Sequence, residues 1–185
     1  MKPKVFLSQP TGLTIPQRQI SERWQRHLYS QGFSVEQLLR ESYRADPWHG
    51  LMRLFASCDG VLVLGFRQLT VHYGQWRRGT EEESNVTATW TSPWLQTEAG
   101  MALAAHLPVL VAPESGVCEG VFASDTWNGP LAGTSAEAPN CYLVERWAAS
   151  VAAQRNRRFT YAADTSAISC VQPVGIQDPL ESSVQ

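Results

Sequence analysis

Charge is scarce in this chain. Charged residues make up 17% of its 185 positions, well below the usual level of about a quarter. Lys and Arg number 15 and Asp and Glu 17, for a net charge of −2. The basic excess of a nucleic-acid binder is therefore missing. The one basic cluster, Arg155, Arg157 and Arg158, reads as a solvated helix end. Cysteine is sparse as well. Cys58, Cys118, Cys141 and Cys170 form no CxxC pair, which argues against zinc. The four histidines have no metal-ligand spacing, and only His72 stands in a segment suited to chemistry. No apolar run approaches the roughly 18 residues of a membrane span. The start, Met1 to Val5, lacks the apolar stretch of a secretory signal. A cytoplasmic protein with reduced thiols and no nucleic-acid, membrane or metal partner is expected. Phosphate-loop, GxSxG and GxGxxG motifs are also missing. Their absence disfavours a P-loop site, a serine-hydrolase elbow and a conventional dinucleotide site. Cys118 has no visible base to activate it as a nucleophile.

What is present is a hydrophobic content of 43%, enough for one core. The length suits a single domain over 1–158 with a tail or arm over 159–185. Val5-Phe6-Leu7, broken by Ser8-Gln9-Pro10-Thr11-Gly12, predicts a buried strand opening into a loop. Ile20, Trp24, His27 and Leu28 fall at helical spacing between Pro16 and Gln31, and Gly32 is a C-cap candidate. Phe33 to Leu39 reads as a second strand, with a helix over Val35–Arg40 as the alternative. Pro47 to Ser57 predicts a helix with Leu51, Leu54 and Phe55 inward. Val61 to Phe66 is the most strand-like run in the chain. Between Arg67 and Thr91 no periodicity survives, and the segment reads as a long binding loop, lid or disordered stretch. A helix from Pro93 and a strand over Pro108–Pro113 follow. A short helix near Val121–Phe122, a last strand over Cys141–Val144 and a last helix over Trp147–Gln154 complete the reading.

Short apolar strands alternating with helices are the mark of a parallel sheet covered on both faces. The expected fold is α/β: a flavodoxin-like doubly wound parallel sheet of four to five strands. Its ligand crevice lies outside the carboxyl ends of the strands. The loop after the first strand, the loop after Phe66 and the segment leading into the Pro93 helix all face it.

One residue stands out against this background. No Asp, Glu, Lys or Arg lies between Glu83 and Glu98, or between Glu98 and Glu114. Ser92 is a good N-cap and Pro93 suits the first helical position, so Glu98 falls in the second turn, one turn below Trp94. Gly100 and the alanines at 99, 102, 104 and 105 permit close packing or close approach of a ligand. An isolated carboxylate beside an aromatic ring is expected to have a raised pKa through desolvation. It is either a structural group or a chemical one. Ser8 and Gln9 suit a ribose or phosphate contact or an ordinary turn. Tyr73, Trp76, Trp90 and Trp94 suit base stacking or core packing. Asp59 enters its strand at the amino end and reads as a cap.

Phe6-Leu7-Ser8-Gln9-Pro10, Cys58-Asp59-Gly60-Val61-Leu62-Val63-Leu64 and Glu98-Ala99-Gly100-Met101-Ala102-Leu103-Ala104-Ala105 resemble motifs of the nucleoside 2-deoxyribosyltransferases. The last of these resembles the segment bearing that family's catalytic glutamate. Ser92-Pro93-Trp94-Leu95-Gln96-Thr97-Glu98 resembles the Ser-x-Trp-x-x-x-Glu segment of TIR domains, whose glutamate is catalytic in the NAD-cleaving members. The resemblance spans roughly residues 4–150. It implies cleavage or transfer of an N-glycosidic bond of NAD, a nucleoside or a nucleotide, with Glu98 as catalytic carboxylate. Ser8 and Gln9 would contact the sugar or leaving group, and Trp94 would wall the pocket. The full candidate binding set is Ser8, Gln9, Pro10, Tyr73, Trp94 and Met101. No cofactor is implied, NAD being a substrate. Departures are also present: Phe6 replaces the first-strand tyrosine of the transferases, and Thr80-Glu81-Glu82-Glu83 does not match their second acidic motif. The alternative is a non-catalytic nucleotide-binding or self-association module, with a homo-oligomer as a candidate state; a third reading is a pure assembly domain in which Arg67–Thr91 forms the contact.

Overall fold

In the computed structural model, the described residues are 2–38, 46–134, 139 and 141–168. In chain order they form β1 (Lys4–Ser8), α1 (Ile15–Ser30), β2 (Ser34–Glu36), α2 (Pro47–Ser57), β3 (Gly60–Gly65), β4 (Leu69–Trp76), β5 (Ser84–Trp90), α3 (Pro93–Ala104), β6 (Val109–Pro113) and α4 (Tyr142–Ile168). A 3₁₀ turn, Gly120–Phe122, lies between β6 and α4. β2, β1, β3 and β6 pair in that order as a four-stranded parallel sheet. β4 and β5 form a separate antiparallel ribbon.

Strand period assigns the two faces. Side chains alternate across a strand, so Val5 and Leu7 of β1 join Leu62 and Leu64 of β3 on one side. There they pack with Trp24 and Leu28 of α1 and Trp147 and Val151 of α4. Phe6 of β1 and Val61 and Val63 of β3 face the other side, against Leu51 and Phe55 of α2 and Leu95, Ala99 and Ala102 of α3. Phe6 and Phe55 meet edge to face at 5.3 Å. Every residue of β3 is buried, which is why it lacks polar alternation and reads so clearly as a strand.

The helix ends are set locally. Thr14 caps α1: its hydroxyl accepts from the Gln17 amide at 3.4 Å, and Gln17 Oε1 accepts from the Thr14 amide at 3.0 Å. This reciprocal pair satisfies two donors that a helix start leaves free. Past the end of α1, Gly32 takes φ +83°, a left-handed value that favours glycine. Asp59, in the turn before β3, accepts from the Lys4 amide at 2.9 Å and pairs with Arg155 at 3.2 Å. This ties the amino end of the sheet to α4.

Three expectations are corrected. Arg67–Thr91 is not a long loop: most of it is the β4–β5 ribbon. Both its faces are largely open to solvent, so no burial imposed an apolar period, and a register shift between Val71 and Gly74 breaks what alternation remains. Cys141–Val144 is not a strand; Tyr142 to Val144 open α4, so the sheet has four strands. A four-residue apolar run does not distinguish the two states. Val144, Trp147 and Val151, all buried, are at helical spacing. Arg155 is not at a solvated helix end, since its side chain is only 14% exposed and is held by Asp59. Of the alternatives over 33–39, β2 takes Ser34–Glu36; Leu39 and residues 40–45 lie outside the described part. α4 runs through residue 158 to Ile168, and residues 169–185 of the expected tail lie outside the described part. Among the described residues, no helix is long and apolar enough to cross a membrane.

The close approach of the 3₁₀ turn to the sheet depends on Gly65. A Cβ at that position would lie 2.5 Å from the Phe122 ring. Gly65→Ala is expected to lower stability by about 1–3 kcal/mol, the usual cost of overpacking. Phe122→Leu should recover part of that loss in the double variant, read from urea midpoints at constant slope.

Candidate functional site

The alternation that sends Phe6 toward α2 and α3 sends Ser8 the same way, at the carboxyl end of β1. On α3, Ser92 caps the start by accepting from the Trp94 amide at 3.3 Å, and Pro93 occupies the first turn. The inward stripe is then Leu95, Glu98, Ala99 and Ala102, all buried. Glu98 thus takes a position that apolar residues normally fill on a core-facing helix. It is 2% exposed and Ser8 is 1% exposed. The Ser8 hydroxyl donates to Glu98 Oε2, joining the last residue of a central strand to the second turn of α3. Ala99 and Ala102 keep the helix close to the sheet, whereas Gly100 and the alanines at 104 and 105 face outward.

A second polar knot closes the same end of the sheet. Glu114 follows β6 directly. Its Oε2 accepts from the Arg67 amide and from Gln17 Nε2, each at 2.8 Å, and its Oε1 lies 3.0 Å from Arg67 Nε. Gln17 Nε2 also donates to the Arg67 carbonyl at 3.2 Å. The start of α1, the exit of β3 and the exit of β6 are thereby tied together. Burial pushes the Glu114 carboxyl up, but the Arg67 amide, the Gln17 amide and the Arg67 guanidinium outweigh it, so the pKa is lowered.

Of the residues singled out from the sequence, Ser8 and Glu98 are in direct contact. Gln9 is partly buried and Pro10 buried beside them in the chain. Trp94 is half-buried, and its ring lies 5.3 Å from that of Trp48. Met101 is half-buried against the core beneath α2 and α3. Tyr73 lies on β4, 75% exposed, and no described contact ties it to Ser8 or Glu98. Three buried polar atoms flank this region without a hydrogen-bond partner among the described residues: Gln9 Oε1, Trp90 Nε1 and Thr91 Oγ1. Gln9 follows Ser8, and Trp90-Thr91 lead into the cap of α3. Buried polar groups are rarely left unpaired, so these atoms are suited to receive a ligand's hydroxyl or amide groups.

Other chemistries find less support. Burial pushes the Cys58 thiol up to about 11, which leaves it inert as a nucleophile. Cys118 is exposed. Among the described residues no group of three or more His, Cys, Asp or Glu is placed to hold a metal ion. Two surface cavities, of about 670 and 770 Å³, lie at the β2 edge and at the amino end of β6; neither is lined by Ser8 or Glu98.

Sequence reasoning missed Gln17, Arg67, Glu114 and Trp48. One signal was available, since Thr14-Ile15-Pro16-Gln17 has the spacing of a capping box. The chain matches no model of a known protein family, and no curated protein matches it significantly.

Glu114→Ala removes the acceptor that three donors share and is expected to cost about 1–3 kcal/mol. Because the native pKa of Glu114 is depressed, its contribution is full above the ordinary value of 4.5 and is lost as pH falls through the lower native value. Urea titrations from neutral to acid pH should therefore show a shallower acid decline in Glu114→Ala than in the parent.

Proposed function

We propose that this chain is an N-glycosidase-type enzyme that cleaves or transfers the N-glycosidic bond of NAD or of a nucleoside or nucleotide, with Glu98 as its acting carboxylate. The observation that carries this reading is the contact between Ser8 and Glu98 at the carboxyl end of β1. The strand order β2-β1-β3-β6 supports a flavodoxin-like doubly wound fold. In such a fold the ligand crevice opens where the strand order reverses, between the first and third strands. Ser8 ends one of those strands, and Glu98 reaches it from the helix that covers the other. The resemblance of the Ser8 and Glu98 segments to transferase and TIR motifs supports the same assignment.

The chemistry follows from charge. As the bond from the anomeric carbon to the base nitrogen breaks, its electron pair leaves with the base and the sugar becomes oxocarbenium-like. A carboxylate fixed beside that carbon stabilises the developing positive charge. Water or a second hydroxyl then bonds to the anomeric carbon, and its proton passes to the departing base nitrogen or, where the base leaves neutral as nicotinamide does, to the Glu98 carboxylate. In this reading Ser8 holds the carboxylate in place until the sugar arrives. Gln9 Oε1 and Thr91 Oγ1 offer partners for sugar hydroxyls, and the paired rings of Trp48 and Trp94 wall the base. The ligand is a small molecule, and no metal is required.

A second reading is favoured by a specific observation. Glu98 is almost wholly buried, its Oε2 is already engaged by Ser8, and neither cavity reaches it. A module that binds a nucleotide without cutting it, or that associates with itself, needs no access to the carboxylate.

Incubation with NAD and a nucleoside panel, at low and high protein concentration, distinguishes the two. The enzyme reading expects free base to appear, and Glu98→Gln to slow its release by about 10²–10³-fold, the usual cost of one electrostatic partner of the transition state. Unchanged substrates, or equal turnover by Glu98→Gln, would overturn it. Ligand-induced thermal stabilisation without product, retained in Glu98→Gln, would establish the binding module instead.

A further inference from the structure

The groove of about 770 Å³ lies at the amino end of β6, away from the end that carries Ser8. Its volume is within the range of small-molecule sites, about 300–1,000 Å³. Its base is closed by Leu107, Val109 and Trp147, all buried, and its exposed apolar surface comes from Leu103 and Leu143, 46% and 37% exposed. Trp147 Nε1 donates to the Pro108 carbonyl at 3.1 Å. The indole is thus fixed at the base of the groove, with its one donor already used.

One wall is α4. Arg146, Ser150, Gln154 and Arg157 all line the groove. They stand at i, i+4, i+8 and i+11, which sets them on one stripe of a helix with about 3.6 residues per turn. The stripe is polar throughout and basic at both ends, and it runs about 16 Å along the axis at about 1.5 Å per residue. Neither arginine forms an ion pair among the described residues, in contrast to Arg155, which is held by Asp59. Arg146 lies 5.7 Å from the Tyr142 ring centroid, a contact that leaves its guanidinium edge available. His106 and Asn128 also line it, and among the described residues no Asp or Glu does.

The geometry points to a second binding site, for a small organic anion with an elongated apolar body. The body lies along Leu103 and Leu143, over the base closed by Trp147, and the anionic group is held by Arg146 or Arg157. A neutral ligand gains the apolar contact alone, and a cationic one faces two arginines that no acid among the described residues pairs. This site does not rest on the proposed glycosidase activity and shares no residue with it.

The test uses three ligands of one chain length: octanoate, octan-1-ol and octylammonium. Binding to the full chain is followed by ligand-observed NMR and by the Trp147 indole signal. Octanoate is expected to bind about tenfold more tightly than octan-1-ol, with octylammonium weakest. The exposed-site double variant Arg146→Gln/Arg157→Gln should lose about tenfold or more of the octanoate affinity, as removal of charged hydrogen-bond donors implies. Its affinity for octan-1-ol should be unchanged, which also shows that it is folded. Glu98→Gln should bind octanoate like the parent. Equal affinity for all three ligands, no octanoate binding at millimolar concentration, or an unaltered double variant would each overturn the proposal. So would a concentration-dependent dimer that octanoate leaves intact and the double variant abolishes, because the groove would then belong to a second copy of the chain.

Discussion

A carboxylate placed in the apolar seam between a helix and a parallel sheet constrains everything around it. Taking an ionised group out of water is costly unless it is hydrogen-bonded, and Glu98 is held by Ser8 at the one place where a strand can present a hydroxyl without interrupting its own core side chains. Ser8 is the last residue of β1, so Val5, Phe6 and Leu7 remain available for the two apolar layers. Small residues at 99 and 102 bring α3 near enough for the contact to form. The result is a polar bond inside a region that is otherwise aliphatic and aromatic. An arrangement of that kind stabilises one registry of helix against strand and is unforgiving of others.

The two ends of the sheet are secured by different polar devices. At the amino end, Asp59 bridges the Lys4 amide and Arg155, fastening β1 and β3 to α4. At the carboxyl end, Glu114 gathers Gln17 and Arg67. Between the two knots β3 and β6 are apolar throughout. Asp59, Arg67 and Glu114 thus stand where strands begin or end, positions at which backbone groups would otherwise lack partners. The ribbon of β4 and β5 stands outside this scheme. It interrupts the connection from β3 to α3 and draws most of its packing from its own two strands.

Legibility in the sequence tracked burial. β3, buried along its whole length, and α2, with Leu51 and Phe55 inward, were readable because the core imposes a period. The start of α3 was readable from Ser92 and Pro93. The ribbon was not, because two exposed faces impose no period. Tyr142 to Val144 misled because three apolar residues in a row satisfy a strand and a helix equally. Arg155 misled because a basic cluster usually marks a wet surface, and only the position of Asp59 nearly a hundred residues earlier reverses that. The isolation of Glu98 was visible in the chain; its partner was not, since Ser8 is separated from it by the whole of β3 and the ribbon.

What the sequence by itself determined is local and periodic: capped helices, buried strands, and a lone carboxylate in a stripe of small residues. These depend on neighbours within a few positions, where backbone sterics and spacing decide the outcome. What only the tertiary structure decided is which distant polar groups meet. Ser8 with Glu98, Gln17 with Glu114 and Asp59 with Arg155 arise because strand pairing and helix packing bring separate segments within hydrogen-bond reach, and no local preference encodes that distance.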